Sequence, residues 1–85
     1  MGSFFMHYVY ILKSIPFPTE YYVGYTVDLK ERILKHNEGG SPHTSKFKPW
    51  KLSFYSAFQD NGLALAFEEY LKSHSGKAFS TKHLI

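Results

Sequence analysis

Two short runs rich in tyrosine and β-branched residues, His7–Lys13 (HYVYILK) and Glu20–Thr26 (EYYVGYT), flank a stretch that holds Pro16 and Pro18. No other feature constrains the fold as much. Aromatic and β-branched side chains suit a pleated, half-buried surface, and two nearby prolines turn the intervening Ser14–Thr19 into a loop. The pattern predicts two strands, paired antiparallel. Gly24 inside the second run predicts a spot where another backbone or a ligand comes close.

The rest of the chain adds helices and one more strand. Asp28–Glu38 reads as a helix, with Asp28 and Glu31 spaced as a capping box and Gly39-Gly40 as its stop. Ser41–Pro49 is a polar loop carrying His43, Lys46 and Lys48. Trp50–Phe58 (WKLSFYSAF) alternates well enough for a third strand. Asp60-Asn61-Gly62 is a turn that can also cap a helix, and Leu63–Ser73 is that helix. Ser75-Gly76 is read as its break, with Lys77–Leu84 as a short third helix. The expected class is α+β: a small three-stranded, mostly antiparallel sheet flanked by two or three helices. Residues 6–85 form the single domain; residues 1–5 read as an N-terminal extension or a cloning remnant, because Met6 directly precedes the first strand.

An 85-residue chain buries only roughly 60–65% of its unfolded surface, so large rings must supply much of the core. The absence of cysteine excludes disulfides and thiolate metal sites and fits a reducing cytoplasm. No apolar run approaches the roughly 20 residues of a membrane span, and the start lacks the pattern of a signal peptide. A net charge of +3 and a pI near 9.2 permit a polyanionic partner without demanding one. The five histidines show no helical pair at zinc-ligand spacing.

Helical phase sorts the polar residues. On the first helix Leu29, Ile33 and Leu34 define an apolar arc, with Asn37 inside it and Lys30 blurring it. Arg32 and His36, four apart, share a face on the Leu29 edge. On the second, Leu63, Ala66, Phe67, Tyr70 and Leu71 form the apolar face. Glu68 borders it beside Ala64 and Leu71, and Glu69 points away. By spacing alone, the commoner fate of such residues is a solvated stripe or a boundary glutamate paired with lysine. Strand tyrosines such as Tyr8, Tyr10, Tyr21 and Tyr22 are by the same standard packing residues with wet hydroxyls.

The order of these residues resembles the GIY-YIG nuclease family. Tyr8-Val9-Tyr10 and Tyr22-Val23-Gly24 match its two strand motifs, Arg32 its helical arginine, His36 the His or Tyr one turn later, and Glu68 its metal-binding glutamate. Leu29–Asn37 (LKERILKHN) and Phe67–Phe79 (FEEYLKSHSGKAF) are similar to the stand-alone, single-domain branch. Tyr8 stands where the first motif has glycine. The family's DNA-repair excinuclease subunit has lysine and asparagine where this chain has Tyr25 and Ser80.

The resemblance implies a DNA endonuclease, acting in repair or recombination, that hydrolyses a phosphodiester by in-line water. Glu68 would hold Mg²⁺ or Mn²⁺, and Arg32 would contact the phosphate. Either Tyr10 or Tyr22 would handle the water, as a tyrosinate if Arg32 and the metal lower its pKa, with His36 able to share the base role. Lys46, Lys48 and Lys51 could position the DNA backbone, or form a solvated loop. RNA is the alternative substrate, and a protein partner the expected source of specificity. The rival readings are a nucleic-acid-binding module with little or no catalysis and a protein-interaction domain on the same fold.

Overall fold

The computed structural model describes residues 6–40 and 42–85; the extension expected at residues 1–5 lies outside them. The elements run β1 (His7–Ser14), β2 (Tyr21–Thr26), α1 (Leu29–Asn37), α2 (Pro42–Ser45), β3 (Trp50–Phe58), α3 (Asn61–Lys72) and α4 (His74–His83). The sheet is fully antiparallel with order β2-β1-β3. β1 is therefore central, and its Val9–Leu12 segment is buried. Tyr10 pairs with Gly24 on one side and with Tyr55 on the other. The β1–β3 register shifts between Ile11 and Leu12.

Alternation along the strands divides the interior in two. Val9, Ile11 and Val23 face α3 and α4, where they pack with Ala64 and Leu71. Tyr10 and Leu12 face the other way and join Trp50, with Tyr22, Leu29, Ile33 and Phe47 packed around them. Of the polar residues that matter below, Tyr10, Tyr22, Arg32 and His36 belong to this second layer, and Glu68 comes from α3.

The helix ends follow the expected chemistry. Asp28 caps α1 by accepting from the Glu31 N–H at 3.1 Å. At the other end Gly39 takes φ +82°, its N–H donates to His36 O and the Gly40 N–H donates to Lys35 O. This paired closure needs a left-handed residue that glycine adopts without steric cost. Asp60 caps α3 through Leu63 N–H at 2.8 Å.

Four expectations are corrected. Part of the polar loop folds as the four-residue helix α2, so the helices among the described residues number four. The break after α3 is Ser73, which caps α4 by accepting from Gly76 N–H. Gly76 is not a breaker: it is buried within α4, where an added Cβ would strike the Tyr70 carbonyl. The helix faces also rotate from their expected positions. Leu34 is 53% and Leu63 61% exposed, while His36 and Ala64 are buried; Leu71 is buried as its place on the apolar face predicts.

Candidate functional site

The sheet carries Tyr10 into the second layer with its ring lying over Gly24. A Cβ at position 24 would sit 2.5 Å from Tyr10 Cζ and 2.9 Å from Tyr22 Cε2, and would also meet the Tyr10 hydroxyl. The close approach expected at Gly24 is thus to two side chains. The missing methyl lets the Tyr10 hydroxyl reach across β2 toward α1. There Tyr10 Oη lies 2.9 Å from His36 Nε2. Tyr22, two residues before Gly24 and so on the same face of β2, sets its ring against the same imidazole at a centroid distance of 4.8 Å.

Both Tyr10 (0% exposed) and His36 (1%) are buried, and burial governs their protonation. It raises the Tyr10 phenol above its ordinary pKa; a hydrogen bond from Arg32 opposes this, and the nearby Tyr22 and Glu68 groups reinforce it. The Arg32 guanidinium by itself does not offset the loss of solvation at Tyr10; the expected tyrosinate also called on a metal ion, whose charge is outside this balance. Tyr10 is a phenol at neutral pH. His36 is shifted down, first by burial and then by the positive charge of Arg32. Its imidazole is therefore neutral at neutral pH and can accept a proton.

Arg32 is one turn before His36 and half-buried, with a guanidinium that interacts with both the Tyr10 and Tyr22 hydroxyls and becomes more basic for it. Its Nε is buried without a hydrogen-bond partner among the described residues. Glu68 approaches from α3, near enough for its charge to act on Tyr10. It is half-buried and ion-paired to Lys72 Nζ at 3.0 Å. Glu68 is thus a half-buried boundary glutamate with a lysine partner, one of the two fates its spacing predicts.

The fold brings together Tyr10, Tyr22, Arg32 and His36, with Glu68 beside them. Lys46, Lys48 and Lys51 are exposed along the α2–β3 segment, and Lys46 stacks over Phe47. Lys72 and Lys77 line a groove of about 400 Å³ together with Tyr22. Spacing could have found Lys72, since it is four residues after Glu68 on one helix face. Tyr25 points to the other sheet layer, where its hydroxyl bonds His7 Nδ1 at 2.7 Å and Asn61 Oδ1 at 2.9 Å. Ser80 is fully buried on α4, its hydroxyl without a partner among the described residues.

A phenol–imidazole pair and a guanidinium on the α1 face of a small antiparallel sheet, with a half-buried carboxylate reaching them from α3, define an α+β domain of the nuclease class. The chain belongs to the GIY-YIG family, whose catalytic-domain model matches residues 6–82. It is 39% identical over 83 residues to the structure-specific endonuclease subunit SLX1 of Candida dubliniensis, covering 89% of this chain and 28% of that one. It is 32% identical to the same-named subunit of Debaryomyces hansenii, covering 89% of this chain but 23% of that protein. The chain thus spans about a quarter of the length of these relatives. A small UPF0213 protein of Haloquadratum walsbyi is 34% identical, with 81% of this chain and 76% of that one aligned. The solution structure of a UPF0213 protein from Bacillus halodurans superposes with a TM-score of 0.55 at 34% identity, covering 91% of this chain and 83% of the other.

Proposed function

We propose that this protein is a divalent-metal-dependent endonuclease that hydrolyses DNA phosphodiester bonds through Tyr10, Tyr22, Arg32, His36 and Glu68. The observation that carries the reading is the 2.9 Å contact between a buried phenol and a buried neutral imidazole, with Arg32 against the phenol. A proton leaving an attacking water can pass to Tyr10 Oη as the phenol proton moves to His36 Nε2. This relay needs no tyrosinate at rest.

The donor set decides which ion fits. Among the described residues no group of three or more His, Asp or Glu side chains gathers at one point, which disfavours an ion caged by protein. One half-buried carboxylate, Glu68, suits a hard cation that keeps several waters and takes phosphate oxygens as further ligands. When bound, such an ion supplies charge neutralisation at the phosphate and the leaving oxygen. Lys72 now occupies the Glu68 carboxylate and would be released as the cation takes its place.

Arg32 has two roles in sequence. In the free protein it covers the Tyr10 hydroxyl and holds the His36 pKa down. A substrate phosphate competes for the guanidinium in bidentate geometry, which draws Arg32 off the phenol and opens Tyr10 Oη to water. The same move takes uncompensated positive charge away from His36 and makes it a better base. Tyr22, half-exposed beside the groove that holds Lys72 and Lys77, orients the water and the phosphate. The two named relatives are structure-specific endonuclease subunits. Branched DNA and a partner subunit are the corresponding proposals here, with repair or recombination as the setting.

The test is cleavage of supercoiled plasmid and of a flapped duplex in Mg²⁺ or Mn²⁺ by wild type, Glu68→Gln and Arg32→Ala. Each substitution is expected to lower the rate by about 10²-fold or more. Full activity in either variant refutes the site, and salt-dependent binding without cleavage in any divalent metal favours the binding-module reading.

A further inference from the structure

The imidazole that touches Tyr10 is itself held from behind. His36 Nδ1 lies 2.9 Å from Thr44 Oγ1, and Thr44 is 1% exposed. Thr44 sits on α2, the short helix inside the expected loop. Its position is fixed from the other side, since its carbonyl accepts the Trp50 indole N–H at 2.8 Å and the Phe47 N–H at 3.2 Å. Trp50 is tied in turn to α1: its N–H donates to Asn37 Oδ1 at 2.6 Å, and Asn37 Nδ2 donates to Trp50 O at 3.2 Å. Asn37 is the neighbour of His36, so α1, α2 and the start of β3 form one closed frame around the imidazole.

The frame selects a tautomer. Arg32 has only donors to offer, so its interaction with the Tyr10 hydroxyl uses the phenol oxygen as acceptor. The phenol proton is then free to point at His36, and in that arrangement Nε2 is the bare nitrogen. A neutral imidazole bare at Nε2 carries its proton on Nδ1. Thr44 Oγ1 is within hydrogen-bonding distance of that proton. Without this oxygen the Nδ1–H would be a buried donor lacking a partner there, and the Nε2–H tautomer would gain population by donating to Tyr10 instead. That tautomer cannot take the Tyr10 proton.

Resting on the nuclease reading above, we infer that Thr44 is a positioning residue: its hydroxyl accepts from His36 Nδ1–H and so keeps Nε2 available as the acceptor for the Tyr10 proton. It acts through His36.

The experiment labels histidine with ¹⁵N and reads the His36 ring nitrogens by NMR at pH 7.5, alongside kcat and KM for plasmid nicking. Wild type and Thr44→Ser are expected in the Nδ1–H form with kcat within about threefold of each other. Thr44→Val, which keeps the shape without the hydroxyl, should shift His36 toward the Nε2–H form. Its kcat should fall about 10- to 100-fold, with KM within about twofold. A wild-type His36 in the Nε2–H form overturns the inference, and that measurement needs no variant. So does a folded Thr44→Val protein that keeps both the tautomer and kcat. Absence of cleavage by the wild type against every substrate overturns the nuclease reading alone, because the tautomer spectra still decide the role of Thr44.

Discussion

Replacing Gly24 by alanine tests the geometry most directly. The added Cβ would lie 2.5 Å from Tyr10 Cζ and 2.9 Å from Tyr22 Cε2, against an ordinary contact of 3.4–4 Å. Relief requires the Tyr10 ring to retreat by about 1 Å. Tyr10 is completely buried in the central strand, so the ring has no open solvent to move into. A displacement of that size is a third of the 2.9 Å contact with His36 and takes it out of good hydrogen-bond geometry. Overpacking of this kind costs about 1–3 kcal/mol. For a domain of this length each 1 kcal/mol lowers Tm by roughly 4–8 °C. A 1 Å misplacement of a reacting group costs about 10²-fold in rate. The paired measurements are thermal unfolding by circular dichroism and plasmid nicking at a temperature where both proteins remain folded. The activity loss should persist there. A Gly24→Ala protein with wild-type Tm and wild-type nicking would show that the Tyr10 ring does not depend on the empty space over Gly24, and the account of the site would fall.

Other outcomes follow from the same structure. His36 has a folded-state pKa below its unfolded value, so the unfolded chain binds more protons between those two values. The stabilisation is complete above about pH 6.5 and is lost as pH falls through the folded pKa. Urea midpoints should drop on acidification below that point, and His36→Gln should show a weaker drop; equal pH dependence in both would refute the assignment. Gly76→Ala puts a Cβ 2.6 Å from the Tyr70 carbonyl carbon and 2.7 Å from Leu71 Cα. Because these are backbone atoms that cannot rotate away, the α3–α4 junction should open at a cost of about 3 kcal/mol, and an unchanged urea midpoint would contradict this. Lys72→Gln removes the partner of Glu68. It should change stability by no more than about 1 kcal/mol while tightening Mn²⁺ binding, as read by titration calorimetry; weaker Mn²⁺ binding would show that Lys72 does not compete for the carboxylate.

The strands were legible because their signals are local. Tyrosine and β-branched residues marked β1 and β2, and the prolines fixed the loop between them. Trp50–Phe58 and the Asp28 and Asp60 caps emerged where their side chains predict. The ordered set Tyr10, Tyr22, Arg32, His36 and Glu68 was legible from the family resemblance. Spacing alone left Arg32 and His36 on a helix border. Burial of His36 was not legible, because helical phase ranks residues by hydrophobicity and an imidazole with polar partners at both nitrogens ranks low. Leu34 was misjudged for the converse reason: an apolar side chain does not have to be covered. Thr44 was hidden inside a segment too short for periodicity to register. Gly76 looked like a breaker because composition cannot tell a glycine needed for a turn from one needed for close helix packing.

The two layers of the sheet share a single ruler, the alternation along β1. Val9 and Ile11 belong to the structural layer, and Tyr10 and Leu12 to the layer with the site. Substitutions can therefore drift on one face while the other is untouched, which separates the evolution of stability from that of chemistry. Insertions and deletions enjoy no such freedom. One codon gained or lost within His7–Leu12 would exchange the faces of the residues beyond it, sending a phenol into the aliphatic layer and an aliphatic side chain toward His36. The length of this strand should be far less variable among descendants of the gene than the identity of the residues in it.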